Sequence, residues 1–142
     1  MPNSWICVDA SLVVRLVIDP HDKGVQTQWD QWASEGREFT APTLLYYEVT
    51  NAIYQYQKRG MLSAEAIQLA LTAALSLPFH LQGDAELPRE ALKLAQQFSL
   101  PATYDTHYLA LAHRLGTEFW TGDERLFKVI RNDLPWVKLL PR

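Results

Sequence analysis

The feature that most constrains this chain is the alternation of short apolar runs with longer segments of helical period. Trp5-Ile6-Cys7-Val8 is too short for a buried helix and reads as a strand of parallel type. Asp9-Ala10-Ser11 then turns the chain into a helix over 12–18, with Ser11 as its N-cap, and Asp19-Pro20-His21-Asp22 breaks that helix. A second helix is predicted over Lys23–Ser34, and 38–41 makes a second strand stopped by Pro42. Thr43 caps a third helix, in which Leu45, Val49, Ala52, Ile53 and Tyr56 recur at helical spacing and Gly60 fits the end. Ser63 opens a fourth helix to about Ser76, 79–81 forms a third strand, and a fifth helix covers 88–98 with Pro88 at its first position. A sixth helix starts at Tyr104 or Asp105 and stops at Gly116. Glu118–Thr121 is a fourth strand, Glu124–Ile130 a short helix, and 137–140 a fifth strand. Strands separated by helices predict an α/β fold, a three-layer α/β/α domain whose central parallel sheet has about five strands.

A length of 142 residues predicts one domain spanning 1–142. With 48% apolar and 20% charged residues, the composition excludes disordered and low-complexity classes. The single Cys7 excludes an intrachain disulfide and a cysteine-based zinc site, and points to a reducing compartment. Asp9 and Arg15 interrupt the first apolar stretch, and 69–77 ends at Pro78, well short of the roughly 20 residues a membrane helix needs. The first charged side chain is Asp9, so the cationic start of a secretory signal is missing. The expected location is cytoplasmic, with no membrane contact. The formal net charge of −3, from 13 basic and 16 acidic side chains, has the wrong sign for gripping nucleic acid by electrostatics alone. A nuclease with an acidic metal site remains compatible with it.

In open parallel sheets ligands bind beyond the carboxyl ends of the strands. Asp9 follows the first strand directly and Asp123 lies two residues after the fourth, while Glu48 and Asp105 fall in the early turns of helices three and six. Glu48 and Asp105 each border an apolar stripe, a placement that disfavours the charged form unless a cation or donor compensates. Two carboxylates about 5 Å apart repel by roughly 3 kcal/mol at an effective dielectric of about 20. Four in one pocket would raise their pKa values or hold a cation, and an all-carboxylate set selects Mg²⁺ or Mn²⁺. Each acid also has an ordinary role open to it, as a turn residue, a solvated helix charge or a complement to a helix dipole. From the residues alone the pattern is an acidic metal site whose reaction is open.

Other chemistries find less support. His21, His80, His107 and His113 show no zinc-binding spacing, and His107 and His113 read as surface or capping residues. There is no glycine-rich phosphate loop and no G-x-S-x-G elbow. Trp29 and Trp32, three apart on one helix, read as packing or a dimer face. Arg15, Lys58, Arg59, Arg125 and Lys128 are the candidate phosphate contacts.

Four blocks, in order, carry a resemblance over nearly the whole chain: Val8-Asp9-Ala10-Ser11, the segment from Pro42 to Ala52 containing Glu48, the segment from Tyr104 to Ala112 containing Asp105, and Trp120-Thr121-Gly122-Asp123-Glu124-Arg125-Leu126. With these the chain resembles the PIN-domain ribonucleases, in particular the VapC-type toxins of toxin–antitoxin pairs. The resemblance implies an endoribonuclease dependent on Mg²⁺ or Mn²⁺, whose acidic quartet falls on Asp9, Glu48, Asp105 and Asp123. It makes Asp9 and Asp105 the principal metal ligands, and Glu48 and Asp123 ligands or water-positioning acids. Ser11, Asn51 and Thr121 fall where a hydroxyl or amide would orient those carboxylates. Either Asp123 or Glu124 faces the metal. The resemblance also implies RNA as substrate, a small antitoxin as partner, and a homodimer. Two other readings stay open: a PIN-like metal- or RNA-binding module without significant catalysis, and a receiver-type signalling domain.

Overall fold

The run Trp5–Val8 (β1) forms the middle strand of a five-stranded parallel sheet in the computed structural model, which describes residues 4–141. The chain continues through α1 (Ala10–Ile18), α2 (Lys23–Ser34), β2 (Glu38–Pro42), α3 (Leu44–Lys58), α4 (Ala64–Leu75) and β3 (Phe79–Gln82). It then forms α5 (Glu86–Gln97), α6 (Tyr104–Leu115), β4 (Glu118–Thr121), α7 (Glu124–Ile130) and β5 (Val137–Leu139). The strand order is β3-β2-β1-β4-β5, so the chain moves outward from β1 on one side, crosses back, and moves outward on the other. The crevice at such a reversal, beyond the carboxyl ends of β1 and β4, is where open α/β sheets bind ligands. The register pairs Val8 with Trp120, which leaves Asp9 beside Thr121 at the end of the two strands.

The expected α/β architecture, helices covering both faces of a parallel sheet, is the one observed. Cys7, Phe119 and Val137 point to one face, packed with residues of α3, α5, α6 and α7. Ile6, Val8 and Phe39 point to the other, covered by Val25 and Trp32 of α2 and by Leu12. The alternation follows from the two-residue period of a strand. Trp29 stacks on Phe39 at 4.0 Å between centroids, and Trp32 meets Phe39 and Trp120 edge-on. Both tryptophans are therefore core packing of the second face.

Helix starts differ from expectation in three places. Helix α1 begins at Ala10, because the Asp9 carboxylate accepts the Ser11 N–H and itself acts as the cap in place of Ser11. Thr43 precedes α3 without a side-chain capping bond. Helix α5 starts at Glu86, two residues before Pro88: Asp84 Oδ1 accepts the N–H groups of Glu86 and Leu87, and Pro88 still sits in the first turn, where its missing N–H costs no hydrogen bond. Pro42 does not stop β2 but is its last residue, in register with Gln82. Gly116 ends α6 in the left-handed conformation, at φ 64°, as the sequence predicts.

Because Phe39 anchors the tryptophan cluster from a buried strand position, Phe39→Ala should destabilise the fold by about 3–5 kcal/mol. Urea unfolding checks this: the midpoint should fall with the slope unchanged.

Candidate active site

Asp9 stands at the centre of the site, 6% exposed, at the point where β1 becomes α1. A buried carboxylate needs donors, and two hydroxyls from opposite sides supply them. Ser11 Oγ donates to Asp9 Oδ1 and accepts the Gly122 N–H at 3.1 Å. Thr121 Oγ1 donates to Asp9 Oδ2 at 2.5 Å and accepts the Asp123 N–H at 3.0 Å. Each hydroxyl thus links one Asp9 oxygen to one amide of the turn between β4 and α7. The turn approaches so closely that a Cβ on Gly122 would lie 2.5 Å from Ser11 Oγ, which only glycine avoids. Burial nevertheless dominates and raises the Asp9 pKa above the ordinary carboxylate value, with the Ser11 and Thr121 hydroxyls pulling it back down.

Glu48 comes from the first turns of α3, and its Oε1 accepts the Tyr108 hydroxyl of α6 at 2.6 Å. Partial burial raises its pKa, the Tyr108 bond opposes that, and Asp9 and His107 act on it with opposite signs. Tyr108 is fully buried, and burial together with the adjacent Glu48 charge pushes its phenol far up, so it remains a donor. Asp105, in the first turn of α6, has its pKa raised to about 7 by desolvation and then by Asp9, Asp123 and Glu48. Asp123 caps α7, its Oδ1 accepting the Leu126 N–H at 3.0 Å. All four acids line one cavity of about 270 Å³, with Ala10, Ser11 and Gly122 between them. Glu124 does not line that cavity, so of the two candidates for the fourth acid it is Asp123 that faces it.

Two of the expected orienting residues, Ser11 and Thr121, bond Asp9 directly. Asn51 does not join them: its side chain is exposed one turn further along α3 and accepts from Gln55 Nε2 at 3.5 Å. Tyr108 and Gly122 are the residues that sequence reasoning missed. A tyrosine within an apolar helical stripe is the available signal for the first, since a buried phenol needs a polar partner. Among the phosphate-contact candidates, Arg15 is committed to Asp22 and to the Pro141 carbonyl. Lys58 and Arg59 lie at the far end of α3, roughly 15 Å along the helix from Glu48 at 1.5 Å per residue. Arg125 lines a second cavity of about 350 Å³ that shares Asp105 and Asp123 with the acidic one.

The donor set is all oxygen, carries up to four negative charges, and suits a hard divalent cation. Among the described residues, no three His, Cys, Asp or Glu side chains are already gathered as a ready metal cage. Asp9, Asp123 and Glu48 each raise the cost of ionising Asp105. The residues fit such an ion by chemistry and by shared cavity. No lysine lines the acidic cavity, unlike the arrangement a receiver-type domain would need.

The chain belongs to the PIN-domain family, whose model matches residues 6–132. It is 27% identical over 123 residues to Ribonuclease VapC3 of Pyrobaculum aerophilum, a match covering 85% of this chain and 91% of that protein. The crystal structure of PAE2754, also from Pyrobaculum aerophilum, is similar in fold, with a TM-score of 0.66 and 24% identity over 87% of this chain and 83% of that one.

Two outcomes follow from the site geometry. Gly122→Ala should destabilise the protein by about 1–3 kcal/mol by displacing Ser11. The double variant Gly122→Ala with Ser11→Ala should lose less than the sum of the two single losses, because both act on one contact. Denaturant unfolding of the three variants measures the difference. The second outcome concerns pH. Asp9, Glu48 and Asp105 all have raised pKa values, so between about pH 4 and pH 7 the folded state binds more protons than the unfolded chain. Without divalent cations, stability should therefore fall as pH rises through that window, and Asp105→Asn should flatten the fall. Melting temperatures at pH 5 and pH 7.5 in chelator check both.

Proposed function

We propose that the chain acts as a single PIN domain with metal-dependent endoribonuclease activity, the toxin of a VapC-type toxin–antitoxin pair, hydrolysing RNA phosphodiesters at the four-carboxylate cleft. The observation that carries this reading is the convergence of Asp9, Glu48, Asp105 and Asp123 on one cavity at the reversal point of the sheet, with the first, second and fourth raising the pKa of the third. Membership of the PIN family and the likeness to Ribonuclease VapC3 support the same activity. The same reading takes RNA as substrate, a small cognate antitoxin as partner, a homodimer and a cytoplasmic setting. No helix among the described residues is long and apolar enough to cross a membrane.

Asp9, Glu48, Asp105 and Asp123 are the residues that would hold Mg²⁺ or Mn²⁺, with Asp9 and Asp105 the principal ligands. When bound, such an ion acidifies a water and offsets charge on the phosphodiester. The chain's own residues keep three of the acids oriented. Ser11 and Thr121 each hold one oxygen of Asp9, Tyr108 holds one oxygen of Glu48, and the Leu126 amide holds one of Asp123. Asp105 alone among the four has no hydrogen-bond donor among the described residues, so its charge responds to whatever enters the cleft. The rival reading is a PIN-like metal- or RNA-binding module without significant catalysis.

Purified protein should cleave RNA with Mg²⁺ or Mn²⁺ and stop in excess chelator. Asp105→Asn keeps the size of the side chain and should slow cleavage roughly 10²–10³-fold, corresponding to about 3–4 kcal/mol of transition-state stabilisation. Full-rate cleavage by that variant, or in chelator with contaminating nuclease excluded, overturns the catalytic assignment. RNA binding with no cleavage under any metal selects the binding module.

A further inference from the structure

At the carboxyl ends of β2 and β3, across β1 from α7 and its Arg125, lies a groove of about 420 Å³. Its rims are Tyr47, the residue before Glu48 on α3, and Tyr104, the residue before Asp105 on α6. These side chains are 71% and 61% exposed, and neither ring has an aromatic partner among the described residues. By contrast Trp29, Trp32, Phe39, Phe79, Tyr108 and Phe119 all pack against other rings. Pro42 and Leu87 give the groove an apolar floor.

Its polar groups are few and partly unengaged. The Thr43 hydroxyl makes no capping bond, although it stands at the start of α3. His107 Nδ1 faces the Thr103 carbonyl at 2.6 Å, which leaves Nε2 without a hydrogen-bond partner among the described residues. Asp84, the one carboxylate lining the groove, is neutralised by Arg114 through contacts of 2.8 and 3.2 Å. A flat, uncharged, apolar-faced ring with hydrogen-bonding edges fits this surface: its faces suit the tyrosines and its edges suit Thr43 and His107. A phosphate finds no free cation in the groove, whereas Arg125 offers one on the opposite side of the acids.

Resting on the nuclease reading above, we propose that the groove between Tyr47 and Tyr104 is a nucleobase subsite that holds one unpaired base of single-stranded RNA beside the carboxylate cleft. The strand then passes from the tyrosine groove across the four acids toward Arg125. Stacking on exposed aromatics is tolerant of sequence, so the subsite selects unpaired strands in preference to duplex.

The test uses an unstructured RNA oligonucleotide in two scanned series, one with an abasic site and one with 2-aminopurine at each position in turn. Cleavage and fluorescence quenching are compared for the wild type, Tyr47→Ala, Tyr104→Ala, Tyr104→Phe and Asp105→Asn. Both tyrosines are exposed, so their variants should fold normally. Each alanine variant should lose about fivefold or more in kcat/KM, and Tyr104→Phe should stay within about twofold of wild type. One abasic position should slow the wild type equally and slow Tyr104→Ala no further. If the alanine variants cleave like wild type, or the abasic loss adds in full, while Asp105→Asn remains inactive, the subsite is wrong and the nuclease reading stands. If nothing is cleaved but 2-aminopurine is quenched in a Tyr104-dependent way, the subsite stands and the nuclease reading fails. Absence of both cleavage and quenching overturns both.

Discussion

A carboxylate withdrawn from water at the end of a strand has to be surrounded by donors, and the way Asp9 acquires them organises this molecule. Its two oxygens are held by hydroxyls from different parts of the chain, Ser11 on α1 and Thr121 at the end of β4. Those hydroxyls in turn accept the amides of Gly122 and Asp123. One side chain therefore joins the start of α1 to the β4–α7 turn, and it does so only in the observed register of β1 against β4. A slip of one residue would turn Thr121 to the other face of the sheet and leave Asp9 buried without that donor. The side chain most costly to bury is thus also the one that specifies how the two central strands pair.

Two of the other acids, Glu48 and Asp105, are arranged around that fixed point by helices rather than by strands. Helices α3 and α6 bring Glu48 and Asp105 over the crevice, and Tyr108 ties the two helices together by donating from one to the carboxylate of the other. Tyr108 also fills the core beside Phe119, at 5.8 Å between ring centroids, and its carbonyl accepts from the Cys7 thiol of β1. Its ring therefore belongs to the packing of the sheet and its hydroxyl to the site. Placing the functional groups on regular elements, one turn removed from buried residues, limits their movement more than loop placement would.

The layers and the parallel sheet were accessible from the sequence because they depend on local periodicity, whereas the strand order β3-β2-β1-β4-β5 was not. Runs such as Trp5–Val8 and Glu118–Thr121 read as strands, with Asp9 directly after the first and Asp123 two residues after the second. What escaped were the choices made between competing hydrogen bonds. Ser11 looked like a cap, yet its hydroxyl is drawn to Asp9, and the carboxylate takes over the capping. Asp84 satisfies the first amides of α5, which shifts the start of that helix ahead of Pro88. Asn51 lies within about 60° of Glu48 around the same helix, but it is about 4.5 Å further along the axis, where its side chain is exposed and pairs with Gln55. Tyr108 was hidden in an apolar stripe because nothing local distinguishes a core phenol that bonds a distant glutamate. The Tyr108 bond depends on a partner 60 residues away and has no local signature.

The same cluster works against the stability of the fold that displays it. Asp9, Glu48 and Asp105 all have pKa values above their ordinary range, so holding them ionised near neutral pH opposes folding. The two-sided core, with the aromatic group of Trp29, Trp32, Phe39 and Trp120 on one face and the α3–α6 packing on the other, has to outweigh that opposition. A cation bound by the folded state and not by the unfolded chain acts in the opposite sense, stabilising by mass action in proportion to the logarithm of its concentration over its dissociation constant. Repulsion among the four acids is therefore coupled to ion affinity: relieving it by mutation strengthens the bare protein while weakening the site. Proteins commonly store strain of this kind where they act, and here it is concentrated at Asp105, the one acid with no donor of its own among the described residues.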